Sequence, residues 1–528
     1  MLIPPLLRDV AFYAVALLAN YLMIRTGYRL LLHPLKNYPG PQLAKISDTY
    51  NTYHSARKSL HLATRQAHLE YGPVIRLGPN KLVFNTVQAL HDIYDNDRVD
   101  KARTYLVSLF TPYPNIFNVI DKDRHRIKRK LIGRLLSESS MRKFEPIMME
   151  QVDIFVQQLF SLSRGSAPIN MSDRSKYIGA DIVGHLAFGY DLKLQTDPTH
   201  QYIAKELKTG NHRLNVYMQS PSLAMLRLEP IAQLINLIRK KSYLRLLQEM
   251  IKSRLKEEKH AKYDLYSHLA DHIDSTDGES LALSEIWSEA LFFFPAGGET
   301  LTTGIAALFF YLSRSPTSYE RLKTEIRSAF TSGAEIKGGP QLAGCLYLRA
   351  CIDEALRMSP PVPGTLWREQ SLGDKSSDPL VIDGQVVPRG VIFGVNIYAL
   401  HHNEEYFPDP FAFRPERWLA SETPAAQRKV MNSAFAAFQV GPRGCAGKAM
   451  AYLEFGLVVA KTLWYFDLEL APGELAKVGV RVPSSGYPAG DGRREEYQLH
   501  DVFTTDHDGP YLTVRPREEV SKDLETHG

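Results

Sequence analysis

The stretch Phe438-Gln439-Val440-Gly441-Pro442-Arg443-Gly444-Cys445-Ala446-Gly447 constrains this chain more than any other. It sets one of three cysteines among glycines, with a Phe seven residues ahead of it and an Arg two ahead. Glycines let backbone N–H groups close on a sulfur, and such bonds hold a thiolate's pKa down and tune a bound iron. The largely apolar run from Ala446 to Ala460 reads as a helix starting at the cysteine, so its N-terminal dipole also favours S⁻. Arg443 is close enough to pair with an acidic group of the same cofactor, and Phe438 can shield the sulfur. A lone Cys is more often a buried structural residue in a turn. Five fixed positions coinciding around this one point instead to a metal ligand.

The rest of the composition mostly excludes. The net charge of +5 is too mild to argue for nucleic acid, and no basic–aromatic stripe suggests stacked bases. Three cysteines (Cys345, Cys351, Cys445) build no disulfide framework, which fits a reducing compartment. Zinc is disfavoured because no CxxC or HExxH spacing occurs. The N-terminus differs from the body: Val10 to Ile24 is apolar apart from Asn20, and Leu6-Leu7 extends it across Arg8-Asp9. That run alone falls short of the ~20 residues of a confident membrane span. A cleaved signal peptide is the competing reading, but its basic start is poor and no clear A-x-A site follows. Arg25, Arg29 and Lys36 lie beyond the run while Arg8 and Asp9 cancel before it, which puts the C-terminal side in the cytosol. An uncleaved anchor over residues 1–36 is therefore expected, then a catalytic body over 37–516 and a polar tail over 517–528. Pro39-Gly40-Pro41 makes a stiff turn between anchor and body. Asn170-Met171-Ser172 is a glycosylation sequon that stays bare in a cytosolic body.

Along the body, Asp48 to Tyr71 reads as one helix. His54, His61 and His68 recur on it two turns apart, ~10 Å, too far to share a metal, so a solvated face is expected. Val74 to Leu77 and Lys81 to Asn85 read as a strand pair around Gly78-Pro79-Asn80. The chain is then mostly helical to about Ser313, with strands between Pro363 and Val395 and again from Val478 to Val514. The expected class is α+β, predominantly helical with small segregated sheets.

A long apolar helix is expected from an N-cap at Ser284 to Ser313, with Glu285 in its first turn. At its middle stands Ala296-Gly297-Gly298-Glu299-Thr300. Paired glycines cost a helix about 1 kcal/mol each against Ala, so they suit a point where the helix opens and something approaches its backbone. A carboxylate beside a hydroxyl there supplies a proton relay into a dry cavity. Pro295 just ahead enlarges the local bulge. Alone, this segment would read as a kink with a capped Thr. Further on, Glu354-Ala355-Leu356-Arg357 puts acid and guanidinium on one helical face, and Phe413-Arg414-Pro415-Glu416-Arg417-Trp418 follows.

Taken in this order, the motifs resemble those of the cytochrome P450 family, over nearly the whole chain. The resemblance implies that fold and heme (iron protoporphyrin IX), with Cys445 as the iron ligand and Phe438, Arg443 and Gly447 in the signature around it. It implies that Glu299 and Thr300 are the acid–alcohol pair that delivers protons for splitting O₂. It implies that Glu354, Arg357 and Arg417 form a buried structural triad bracing the cysteine loop, with Trp418 replacing the family's final Phe. His125-x-x-x-Arg129 matches a W-x-x-x-R pair that meets a heme propionate, His standing for Trp; Arg368 is a further propionate candidate. Arg126, Lys128, Lys130 and Arg134 would then surround the cysteine face as a docking patch for an acidic electron donor. The implied partners are a membrane and NADPH-cytochrome P450 reductase, with cytochrome b5 as a second donor; no flavin domain fits in the residues after Gly447. The implied activity is insertion of one oxygen atom from O₂ into an apolar small molecule, at the endoplasmic reticulum membrane. Segments such as Cys351 to Thr365 look most like filamentous-fungal members acting in secondary metabolism. The competing readings are a sterol, fatty-acid or benzoate-like hydroxylase, a non-oxidative isomerase or dehydratase, and a heme sensor without turnover. Substrate walls are expected from Tyr105 to Phe117, Gln219 to Leu234 and Val362 to Leu366; Met218 to Ile238 is apolar enough to dip into a bilayer, but a plain core or channel helix is the safer reading.

Overall fold

The computed structural model describes residues 5–109, 111–165, 167–225, 240–269, 282–482 and 496–519. Most of the apolar Met218–Ile238 stretch and of the Gln219–Leu234 wall lies outside these residues, as does most of the polar tail.

The N-terminal helix Pro5–Gly27 continues as a π-turn over Tyr28–Leu32. The apolar span Arg8–Leu32 has a mean hydropathy of 1.4 and none of it is buried, so it is long and apolar enough to cross a membrane. Its base is fastened to the body. Arg29 donates to the Ile46 carbonyl, and Arg76 donates back to the Arg29 carbonyl at 2.9 Å. Gly40 sits at φ +148°, and a Cβ there would lie 2.4 Å from the Arg76 carbonyl oxygen. Only glycine permits that approach, which the Arg76 N–H bond to the Pro39 carbonyl at 2.7 Å holds closed.

Helices form most of the body, and small sheets stand apart from them. One sheet runs in the order Val74–Gly78, Lys81–Phe84, Ile392–Val395, Arg368–Gln370, Val99–Lys101. Its central pair, Lys81–Phe84 with Ile392–Val395, is parallel; the others are antiparallel. A second sheet orders Ile169–Asn170, Tyr511–Pro516 and Phe466–Leu470, and two hairpins complete the β structure. One hairpin, His500–Val502 with Thr504–Asp506, enters the site described below.

The core wraps the helix Thr300–Leu312, in which every residue from Leu301 to Leu312 is buried. Gly304 is required here, since a Cβ would meet the Phe455 ring at 2.3 Å. The neighbours include Met171–Phe188, Leu346–Met358 and Lys448–Tyr465.

Several boundaries differ from the sequence reading. The helix expected from Asp48 to Tyr71 is two, Thr49–Ala56 and Leu60–Tyr71, parted at Lys58 with φ +58°. Its histidines are not a solvated face. His61 and His68 are 1% and 5% exposed, His61 lies edge-on to the Tyr398 ring at 5.0 Å, and His68 Nδ1 meets the Gly72 carbonyl at 2.9 Å. Burial pushes the His68 pKa down to about 4, so that ring is neutral. Seven-residue periodicity marks one face and cannot say which way it points.

The long central helix starts at Leu283 with Ala282 as N-cap, in place of Ser284. The Ala282 N–H donates to Glu285 at 3.2 Å, so the first-turn acid does the capping. This helix ends at Gly298, and a new one begins at Thr300. The interruption falls at Glu299 itself, whose N–H reaches only the Pro295 carbonyl at 3.3 Å. What approaches the glycines is partly another helix. A Cβ on Gly297 would sit 2.6 Å from Val183, and a Cβ on Gly179 would sit 2.9 Å from the Gly298 carbonyl oxygen.

Candidate active site

The cysteine loop bridges the helices Ala425–Ala434 and Lys448–Tyr465. The second helix begins at Lys448 with Gly447 as N-cap, three residues later than a start at the cysteine. The loop closes on itself, with the Cys445 N–H donating to the Phe438 carbonyl at 2.8 Å and the Gly444 N–H to Gly441 at 2.9 Å. Gly441 has φ +75°, and a Cβ there would lie 2.0 Å from the Tyr94 carbonyl oxygen. Cys445 opens into a cavity of about 360 Å³ between this loop and the central helices. Burial raises its thiol pKa, opposed by the Gly447 N–H and by the charges of Arg129 and Lys448.

Thr300, Gly297, His125, Arg129, Phe438, Arg443 and Gly447 line the same cavity. Glu299 and Arg368 do not. Glu299 turns the other way, into a separate small cavity. Thr300 Oγ1 donates to the Ala296 carbonyl at 2.6 Å. Arg368 lies behind the wall, 4% exposed, 4.8 Å over the Tyr94 ring and bonded to the Trp367 carbonyl at 3.1 Å.

Lys101, which sequence reasoning missed, completes a cluster of cations there. It donates to the carbonyls of Ile116 and Phe117, Arg443 to those of Val119 and Ile120, and Arg129 to that of Gly444 at 2.6 Å. Carbonyls orient these cations without neutralising them. Burial, with Arg368 and Arg443 nearby, pushes the Lys101 pKa well down; burial with Arg368 lowers Arg443 to about 10. Burial and the same cations push His125 to about 3, leaving a neutral imidazole. A soft sulfur on one side and buried, mutually repelling cations on another fit an iron macrocycle that carries two carboxylates.

One charged residue does something other than expected. Lys128 is no part of a docking surface: it is fully buried, 2.9 Å from Glu289 and 3.3 Å from Glu285. Those acids lie on the helix Leu283–Gly298, so this pair locks the His125 helix to the central one. Arg126, Lys130 and Arg134 are exposed, and Arg126 pairs with Asp123 at 3.0 Å.

Glu354, Arg357 and Arg417 meet in the interior. Arg357 forks onto both Glu354 oxygens at 2.9 Å, Arg417 Nε donates to Oε1 at 2.9 Å, and Trp418 Nε1 donates to Oε2 at 3.0 Å. Burial raises the Glu354 pKa, but the two guanidiniums outweigh it and hold the carboxyl below its usual range. From Arg357 the bonding continues to the loop. Its Nη1 reaches the His401 carbonyl at 2.8 Å, and His401 Nε2 accepts the Ala436 N–H at 2.9 Å, two residues before Phe438.

Away from the cysteine the cavity is mostly apolar and aromatic. Phe117 stacks on Phe292 at 5.1 Å and meets Phe503 edge-on at 5.2 Å. Of the expected walls, Ser108, Thr111, Asn115, Ile116, Phe117, Val362 and Leu366 line it. No described residue of Gln219–Leu234 does; Asn211 and Leu214, about two turns and one turn earlier, line it instead. Phe503 holds φ +84°, costly for an aromatic residue by ~1–3 kcal/mol, at the turn that projects it inward.

The fold and the cavity that Cys445 opens into define a heme-thiolate oxygenase. The cytochrome P450 family model matches residues 40–478. The chain is 35% identical to the cytochrome P450 monooxygenase apf7 of Gibberella fujikuroi, over 93% of this chain and 95% of that protein. It is 35% identical to the cytochrome P450 monooxygenase AKT7 of Alternaria alternata, over 95% and 96%. It is 33% identical to the cytochrome P450 monooxygenase poxM of Penicillium oxalicum, over 97% and 96%. The chain belongs to the cytochrome P450 family. It is a monooxygenase whose cofactor is heme, with electrons coming from NADPH through a redox partner, as is typical of the family.

Proposed function

We propose that this monooxygenase hydroxylates or epoxidises a mid-sized apolar metabolite in fungal secondary metabolism, at the endoplasmic reticulum membrane. Bound heme supplies the oxygen chemistry: with two electrons and two protons, one atom of O₂ goes to the substrate and the other leaves as water. In this reading Cys445 would be the iron ligand, Lys101, His125, Arg129 and Arg443 would hold the propionates, and Arg368, behind the wall, would act on them only through its charge. Thr300 and Glu299 manage protons, and the Glu354–Arg357–Arg417 cluster keeps the cysteine loop in shape. The aromatic wall of Phe117, Phe292 and Phe503 excludes water and orients a flat or unsaturated substrate. The observation that carries the reading is the cavity itself, lined at once by Cys445, by the cations Lys101, Arg129 and Arg443, and by the rings of Phe117, Phe292 and Phe503.

The division into residues 1–36, 37–516 and 517–528 belongs to the same proposal. So do NADPH-cytochrome P450 reductase and cytochrome b5 as electron donors, with exposed Arg126, Lys130 and Arg134 offering a cationic surface to them. Support for the anchor is the unburied span Arg8–Leu32.

Two tests follow. Microsomes carrying the protein, given NADPH and an extract from a strain deleted for this locus, should convert one extract component to a product heavier by one oxygen atom. Only transformations without oxygen gain would instead favour the isomerase or dehydratase reading. Topology is tested at Asn170, whose Nδ2 donates to Asp508 at 2.9 Å and to Asp173 at 3.2 Å. With the body in the cytosol, protein expressed in a fungal host should show no mobility shift on treatment with an N-glycosidase. A shift that Asn170→Gln abolishes would place the body in the lumen.

A further inference from the structure

Glu299 and Thr300 adjoin in sequence but face different cavities. Thr300 lines the main one. Glu299 lines a second, of about 30 Å³, with Lys176, Lys208, Thr302 and His507 around it. That volume holds one or two waters; its walls are mixed, with Ile203, Leu207 and Phe294 beside the polar groups available to bind them. Thr504, on the hairpin strand Thr504–Asp506, lines both cavities. Its hydroxyl donates to Glu299 Oε2 at 2.8 Å and accepts from Asn211 Nδ2 at 3.0 Å. Asn211 also donates to Glu299 Oε2, whereas Oε1 is buried with no hydrogen-bond partner. An unpartnered buried carboxylate oxygen beside a water-sized space calls for a bridging donor.

We propose that Thr504 is a positioning residue of this monooxygenase: it holds the Glu299 carboxylate at the end of a solvent-fed proton inlet and links that inlet to the main cavity. The inference rests on reading Glu299 and Thr300 as the proton-delivering pair. The inlet begins at Lys208 and Asp506, which pair with each other and are 27% and 17% exposed. Lys58 lies 3.4 Å from Asp506, and Lys176 Nζ donates to the His507 carbonyl at 3.0 Å. A proton passing inward through cavity water neutralises the Glu299 carboxylate. The carboxyl O–H then donates to Thr504 Oγ1, which also accepts from Asn211. The threonine's own hydrogen is thereby released to point into the main cavity, and a proton given up there is replaced from Glu299.

The groups facing Glu299 suit this. Burial raises its pKa to about 7, with Asp506 pushing the same way and Thr504, Lys208 and Asn211 opposing. His507, buried and neutral, touches Thr302 at 3.5 Å and adds no charge. Both protonation states are accessible near neutrality, which a relay requires.

The test uses heme-loaded full-length protein with reductase and no substrate, comparing wild type, Thr504→Val and Thr504→Ser. The first readout is hydrogen peroxide released per NADPH, expected to rise several-fold in Thr504→Val and to return toward wild type in Thr504→Ser. The second is independent of turnover: the infrared carboxyl band that Glu299→Gln removes, followed against pH. Losing the hydroxyl donor should move its midpoint up by about one unit in Thr504→Val. If either readout stays at the wild-type value, the assignment fails. Should Thr504→Val not load heme, Asn211→Leu, which removes the other donor to Oε2, is read by the same two criteria. A wild-type protein whose reduced carbon monoxide complex lacks the thiolate Soret band overturns the underlying oxygenase reading instead, and the infrared titration separates that failure from this one.

Discussion

Cys445→Ser should abolish the long-wavelength Soret band of the reduced carbon monoxide complex and take NADPH-dependent turnover below detection. The substitution keeps the volume, the loop and the hydrogen bond from the Cys445 N–H to the Phe438 carbonyl. It replaces a soft, electron-donating thiolate with a hydroxyl that stays protonated near neutrality. Cys345→Ser is the control. That thiol is buried, bonded to the Gln341 carbonyl, and pushed up to about 11 by burial. It lines no part of the main cavity, so the Soret band should be unchanged. If the band persists in Cys445→Ser, the iron ligand lies elsewhere and the assignment of this cavity fails.

Arg357→Ala should give protein with several-fold less heme per chain, read as the ratio of Soret to protein absorbance. Arg357 and Glu354 are fully buried, and Arg417 is 5% exposed. Removing one member leaves charge in the interior without its partner, a loss of about 3–5 kcal/mol. The damage is directed. Without Arg357, the His401 carbonyl loses its donor, and His401 is the side chain that accepts the Ala436 N–H ahead of the cysteine loop. Burial and Arg357 push the His401 pKa to about 3, so its ring stays neutral and Nε2 remains an acceptor. Arg357→Lys should rescue little, because an ammonium cannot reproduce a fork onto both carboxylate oxygens. Normal heme content in Arg357→Ala would remove the bracing role.

What could be read from the sequence was whatever is contiguous. The cysteine loop announces itself because its glycines, Arg443 and Phe438 act on a sulfur a few residues away. The α+β class followed from long apolar helical runs and short turn-bounded strands. Lys101 could not be found, because Lys101, Arg443 and Arg368 converge from three segments far apart in the chain. Thr504 was equally silent: its neighbours Asn211 and Glu299 are about 300 and 200 residues away. Lys128 misled because a basic run looks the same whether one of its members faces water or Glu289. The histidines misled for a related reason, since spacing fixes a face and tertiary packing decides what covers it. The division of Glu299 from Thr300 depends on where a helix breaks, and Pro295 with two glycines allows a break anywhere across that turn.

The fastening of Arg29 and Arg76 at the foot of the N-terminal helix bears on orientation. A span joined by a slack tether would let the body tumble over the membrane surface. Here the elbow is stapled by carbonyls, with Gly40 admitting Arg76 at contact distance; were the helix to lie in lipid, as proposed, its tilt would be passed on to the whole catalytic body. Lengthening that elbow by a few flexible residues would turn a bracket into a leash, and would be felt first in how the enzyme meets partners confined to the same bilayer.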